Sequence, residues 1–167
     1  MDTSTTELTG RELLRHTLAT LAYRGGKAMR GAPENFSAFR VAPGTRTPGQ
    51  ILAHLCDLMD WAYWMALGEQ RWNNSTPQTW DVDVARFFDA LGKFDQCLAS
   101  DAAAGAPLTK LFQGPVADAF THVGQINMLR RLAESPVRGE NYARANISLG
   151  HVGEAQPAAV VEFDKEV

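Results

Sequence analysis

The chain reads as an all-α protein, a single four-helix bundle, on three observations. Four segments carry apolar residues at helical spacing. Breaks rich in glycine and proline separate them. The start of the second segment carries a full set of helix-capping signals at Thr47. The length, 167 residues, fits one domain. An apolar content of 45% is enough to build a sizeable core. No stretch alternates convincingly as a strand, and neither an internal repeat nor a low-complexity block is present.

The first helix is expected over about residues 6–30. Leu14, Leu18, Leu21 and Ala22 recur at helical spacing along it. Gly25 and Gly26 weaken its last turns, and Gly31 with Pro33 ends it. A long connection, residues 32–46, holds Pro33, Pro43, Gly44 and two aromatics, Phe36 and Phe39. It is expected to cross one end of the bundle and tuck the aromatics into the core. Thr47 then caps the second helix, Pro48 takes its first position, and Gln50 completes a capping box. This helix runs to about residue 67, with Gly68 as its stop. It carries Ile51, Leu52, Leu55, Leu58 and Met59 beside His54, Trp61, Tyr63 and Trp64.

A loop over 69–78 breaks at Asn73–Pro77. The third helix is expected over 81–104, with Val84, Phe87, Phe88, Leu91, Phe94 and Leu98 as its inward stripe. Gly105 and Pro107 open the next break. The fourth helix is expected to begin at Pro115 and run to about 134, where Ser135-Pro136 stops it. The bundle core thus covers about 8–135. A C-terminal extension, 136–167, carries a short helical piece around 141–147 and a loosely patterned tail.

Several function classes are set aside. The most apolar stretch is interrupted by Asp57 and Asp60, so no membrane span is expected. The polar, slightly acidic start of the chain lacks a secretory signal pattern, which predicts a cytoplasmic protein. Net charge is −3 and the basic residues are scattered apart from Arg130-Arg131, which argues against nucleic acid or anionic lipid as partner. Cys56 and Cys97 make no CxxC pair and read as two buried thiols. No phosphate-cradling loop and no serine nucleophile elbow is present.

The four histidines carry the chemical interest. His16 reads as an exposed residue of the first helix, and His151 falls in an irregular segment. His54 lies on the second helix and His122 on the fourth. Asp118 and His122 are four apart, so they share one helix face at roughly 5–6 Å between Cβ atoms. If the second and fourth helices are neighbours, His54 completes a facial set of two histidines and one carboxylate. Such a set suits zinc, nickel, manganese or ferrous iron and leaves positions open for water or substrate. The same spacing also occurs in plain polar pairs. Gln125, about one turn beyond His122, is read either as a group that orients a ligand or as a polar residue bonding across the bundle. Asp57, one turn after His54, is a candidate fourth ligand or outer base, with a solvated helix face as the plainer reading. Arg138, in the segment 137–142, is a candidate anchor for a substrate carboxylate or part of a packed connection. Trp61, Tyr63, Trp64 and Trp72 suit a core, a pocket wall or a dimer face.

Two motifs carry a resemblance. The opening Thr47-Pro48-Gly49-Gln50-Ile51-Leu52-Ala53-His54-Leu55 resembles the first metal-histidine helix of the DinB-like (DinB/YfiT) family. The run His122-Val123-Gly124-Gln125-Ile126-Asn127-Met128-Leu129-Arg130-Arg131-Leu132 resembles its third-ligand helix. The resemblance covers roughly residues 8–135. It implies a four-helix bundle with a long connection after the first helix, a homodimer, and a divalent metal, zinc or nickel foremost, with manganese or iron as further choices. The implied ligands are His54 and His122, with Asp118 standing where the family usually has histidine. Known activities of the wider superfamily imply a metal-dependent transferase or hydrolase acting on small molecules with a low-molecular-weight thiol. The departure at Asp118 leaves an alternative: a non-catalytic dimeric bundle with a vestigial metal site, acting as a stress-related binding module.

Overall fold

The structure is a computed structural model that describes residues 8–163. It contains α1 (Gly10–Met29), α2 (Pro48–Ala66), α3 (Trp80–Ala99), α4 (Leu108–Leu111) and α5 (Ala117–Leu132). A π-helical turn, Phe112–Val116, joins α4 to α5 in one continuous run, so four long helical units result. Single 3-10 turns lie at Phe36–Ala38 and Tyr142–Arg144. Among the described residues there is no strand, only an isolated bridge between Glu140 and Glu162. No helix among them is long and apolar enough to cross a membrane. The first two residues expected in α1, the polar start at residues 1–7 and the last four of the tail lie outside the described residues.

Two helix starts are built alike. The Thr47 hydroxyl accepts from Gln50 N–H while the Gln50 side-chain Oε1 accepts from Thr47 N–H, as the sequence predicts. Thr9 and Glu12 form the same reciprocal pair at α1. Each box satisfies two donors that a helix start otherwise leaves unpaired. At the far end of α2, Gly68 adopts φ +85°. Gly68 N–H donates to Met65 and Glu69 N–H to Trp64, a Schellman closure that needs the left-handed residue.

α2 packs chiefly against α3 and α5, and α1 against the same two helices. α1 and α2 therefore stand diagonally across one core, and the long connection between them crosses the end. Phe36 is buried in that crossing and meets Trp80 edge-on at 5.3 Å between ring centres. Leu18, Leu21, Leu52, Leu55, Met59, Phe87, Leu91 and Phe94 are fully buried. Their spacing along each helix is the apolar stripe that gives the helices a reason to associate.

Three expectations are corrected. α3 ends at Ala99, not near residue 104, because Arg11 of α1 pulls the chain off the helix. Its guanidinium donates to the carbonyls of Leu98, Ser100 and Ala102 at 3.3, 2.6 and 2.9 Å. Ser100 is accordingly extended, with ψ 157°. The fourth helical run begins at Leu108 rather than Pro115, and Pro115 sits inside the π turn. Proline has no N–H and crowds the carbonyl four residues back, and a widened turn relieves that crowding without ending the helix. Of the two thiols, Cys56 is buried, but Cys97 is only half-buried. Burial pushes both thiol pKa values up.

The C-terminal extension is tied to α1 by one buried carboxylate. Glu140 accepts from the Tyr23 hydroxyl and from Lys27 Nζ, both at 2.6 Å. Lys27 also donates to Glu162 at 2.9 Å. Burial, then the Glu140 bond, holds the Tyr23 phenol protonated far above its ordinary 10.0. Burial works against the Lys27 ammonium, but its bonds to Glu140 and Glu162 outweigh it and raise the pKa above 10.5. Both folded-state values lie above the unfolded ones, so the unfolded chain gives up protons first as pH rises. The clamp's contribution is therefore full below pH about 10 and falls above it. Glu140→Ala, which leaves Lys27 and Tyr23 without their partner, is expected to lower stability by about 3 kcal/mol at neutral pH. Urea titrations of the wild type and the variant from neutral to strongly alkaline pH check both statements.

Candidate metal centre

The first requirement for a cation site is convergence of donors, and α2 and α5 supply it. His54 projects from the middle of α2, and Asp118 and His122 from the first turns of α5. Asp118 Oδ2 is 3.6 Å from His54 Nε2, and its Oδ1 is 3.5 Å from His122 Nε2. One donor atom from each of the three residues lies within 4.8 Å of the others. The two imidazoles meet at a right angle, 4.7 Å between ring centres. This geometry fits one small cation among three ligands. A carboxylate between two imidazoles is also a donor set that zinc, nickel, manganese and ferrous iron accept.

A further contact orients the His122 ring. His122 Nδ1 lies 2.7 Å from the Gln125 side-chain Oε1. An amide oxygen only accepts, so the bond uses Nδ1–H and turns the other ring nitrogen, Nε2, toward Asp118. Gln125 therefore bonds back to His122 on its own helix rather than across the bundle. For His54, burial, then the charges of His122 and Arg46, hold the imidazole pKa below 6.5 against the pull of Asp118. Its ring is therefore neutral, the form that coordinates, at neutral pH.

The surroundings divide the site into a wall and an opening. His122 is buried, His54 is half-buried and the Asp118 side chain is 47% exposed, so the group is reached from the Asp118 side. Trp72 meets His54 edge-on at 5.6 Å and Trp61 meets Trp72 at 5.7 Å. Two of the four aromatics noted in the sequence thus make an apolar wall. Tyr63 and Trp64 pair with each other, and Arg71 lies over the Trp64 ring.

Asp57 and Arg138 are placed differently from the other candidates. Asp57 borders the same cleft as His54 but is buried, and both its oxygens are taken. It accepts from Ser75 N–H at 2.8 Å, from the Ser75 hydroxyl at 2.7 Å and from Arg86 of α3. That binds the loop after α2 to the helix; the carboxylate is an anchor and not a member of the ligand group. Arg138 pairs with Glu162 at 3.6 Å, in the cluster around Lys27 and Glu140. His16 is half-buried on α1, and His151 bonds the Ala155 carbonyl. Neither histidine belongs to the group.

One neighbour was not singled out in the sequence. A cleft of about 380 Å³ adjoins His54 and is lined on its polar side by Arg46, Gln50 and the loop residues 74–76. The intervals 46, 50 and 54 are four residues each, a signal the chain does carry. Compared with protein-family models, with characterised proteins and with solved structures, the chain matches none.

Proposed function

We propose that this chain is a divalent-metal-binding protein of the DinB-like kind, with His54, Asp118 and His122 as its ligands. The observation that carries the reading is the convergence of three donor atoms from two helices within 4.8 Å, one imidazole being oriented by Gln125. The finer reading follows the helix motifs: a homodimer acting on a small molecule with a low-molecular-weight thiol, as a transferase or hydrolase. When bound, a divalent ion supplies Lewis acidity, which lowers the pKa of a coordinated water or thiol or polarises a carbonyl. The chain's own part is to bring His54 and His122 together beside Asp118, to orient the His122 ring through Gln125, and to flank His54 with Trp72 and Trp61.

The test is the metal content of untagged protein by elemental analysis. One zinc, nickel or manganese per chain is expected, lost in both His54→Ala and His122→Ala. Gln125→Ala is expected to weaken affinity by about 10–100-fold, the usual effect of removing a ligand's orienting partner. Metal retained in His122→Ala would sink the reading. No metal even after reconstitution would favour the non-catalytic module with Asp118 as the altered ligand.

A further inference from the structure

Arg46 stands one residue before the N-cap of α2, on a connection held in place from within. The Thr45 hydroxyl donates to the Ala42 carbonyl at 2.7 Å, and Arg40 donates to the Thr45 carbonyl. Its guanidinium is exposed and makes no ion pair among the described residues. Four other arginines are each held by a carboxylate: Arg15 by Asp95, Arg71 by Glu69, Arg86 by Asp57 and Asp60, and Arg138 by Glu162. The one acid lining the same cleft is Asp57, and its oxygens are occupied by Ser75 and Arg86. The cleft thus offers a free planar five-donor group facing a polar hollow. Along its walls lie the side chains of Gln50, Asn74 and Thr76, none of them charged.

The row Arg46, Gln50, His54 leads from this guanidinium to the metal group. From Pro48 to His54 the helix rises about 9 Å, and Arg46 stands two non-helical residues further out, so the two ends are more than about 10 Å apart at the backbone. That span suits a small extended molecule. An unpaired guanidinium recognises a carboxylate through two parallel N–H···O bonds. We propose that this cleft binds a small carboxylate-bearing ligand, with Arg46 holding the carboxylate and the ligand's other end directed at the His54–Asp118–His122 group. The placement of that other end rests on the metal reading above; the carboxylate contact does not.

Two measurements test the proposal and separate it from the metal reading. In the first, protein loaded with Co(II) is titrated with 3-mercaptopropionate and with its neutral amide, 3-mercaptopropionamide. Thiolate coordination is read from the sulfur-to-cobalt charge-transfer band. The carboxylate form is expected to bind at least about tenfold tighter, the scale of one charge-assisted bidentate contact, and Arg46→Gln is expected to erase that preference while leaving cobalt content unchanged. Equal binding of the two thiols, or a preference that survives in Arg46→Gln, overturns the proposal. In the second, metal-free protein is titrated with glutarate at low ionic strength, with the fluorescence of Trp72, beside His54, as the signal and Trp72→Phe as the control. Saturable binding that is lost in Arg46→Gln and weakened by salt supports the carboxylate contact even where cobalt fails to bind. Binding of glutarate that is indifferent to Arg46, or none, overturns it. Inorganic phosphate binding more tightly than glutarate through Arg46 would also overturn the carboxylate assignment.

Discussion

Arg130→Ala is expected to lower stability by about 3–5 kcal/mol, since several buried carbonyls lose their donor at once. Arg130 lies on α5 and is only 5% exposed, yet it makes no ion pair among the described residues. Its guanidinium donates to the carbonyls of Ala28, Arg30 and Gly31 at 3.0, 2.9 and 3.0 Å. It also donates to the Ser135 carbonyl at 2.8 Å and to the Ser135 hydroxyl. Ala28 and Arg30 are among the carbonyls that the end of α1 leaves without helical partners, where the helix dipole is negative, and Gly31 follows just beyond the cap. Arg130 is thus a cap for α1 supplied from α5, and one bond network also closes the end of α5. Burial pulls its pKa down, but a guanidinium stays charged at neutral pH. Arg130→Lys keeps the charge and loses the fork, so it is expected to recover less than half of the deficit. Urea titration of the two variants separates charge from geometry; equal stability of Arg130→Lys and wild type would refute the fork argument.

Gly105→Ala is expected to cost about 2–4 kcal/mol, the range of a core clash that neighbours cannot relieve. The break after α3 passes so close to the end of α2 that Gly105 N–H donates to the Ala66 carbonyl at 2.8 Å. A Cβ at Gly105 would stand 2.1 Å from Gly68 N and 2.3 Å from Gly68 Cα. Both obstacles are backbone, and Gly68 is itself held at positive φ by the Schellman closure. One chain or the other must move, and either movement breaks the end of α2. Gly92→Ala is the control. Gly92 lies inside α3 and a Cβ there meets nothing within 4 Å, so alanine is expected to stabilise by about 0.5–1 kcal/mol. Thermal melts of the two variants should move in opposite directions.

Much of the fold was legible locally. Thr47, Pro48 and Gln50 mark a helix start through bonds made within four residues, and Gly68 marks its end in the same way. The apolar stripes of α1, α2 and α3 predicted which faces are buried. Helix ends that depend on distant partners were not legible. Arg11, about 90 residues away from the carbonyls it binds, decides where α3 stops. Pro115 looks like a first helical residue in any local reading, and only the continuous run from Leu108 shows it within a π turn.

The candidate site divides along the same line. Asp118, His122 and Gln125 lie within seven residues of each other on one helix, so their shared face follows from helical pitch alone. That His54 meets them depends on α2 packing against α5, which the motif resemblance implied and spacing did not. Asp57 and His54 share a helix face, yet one carboxylate is consumed by Arg86 and Ser75 while the imidazole remains available. Nothing near either residue in the chain distinguishes them. Arg46 and Arg138 are alike in sequence terms, and it is Glu162 that takes Arg138 while Arg46 is left beside the cleft. The sequence by itself determined the helices, their buried faces and the residue types able to bind a cation, because each depends on neighbours a turn or less away. Tertiary structure alone decided which polar side chains are spent on holding the fold and which remain free, because that depends on partners 18 to 102 residues distant that compete for the same donors and acceptors.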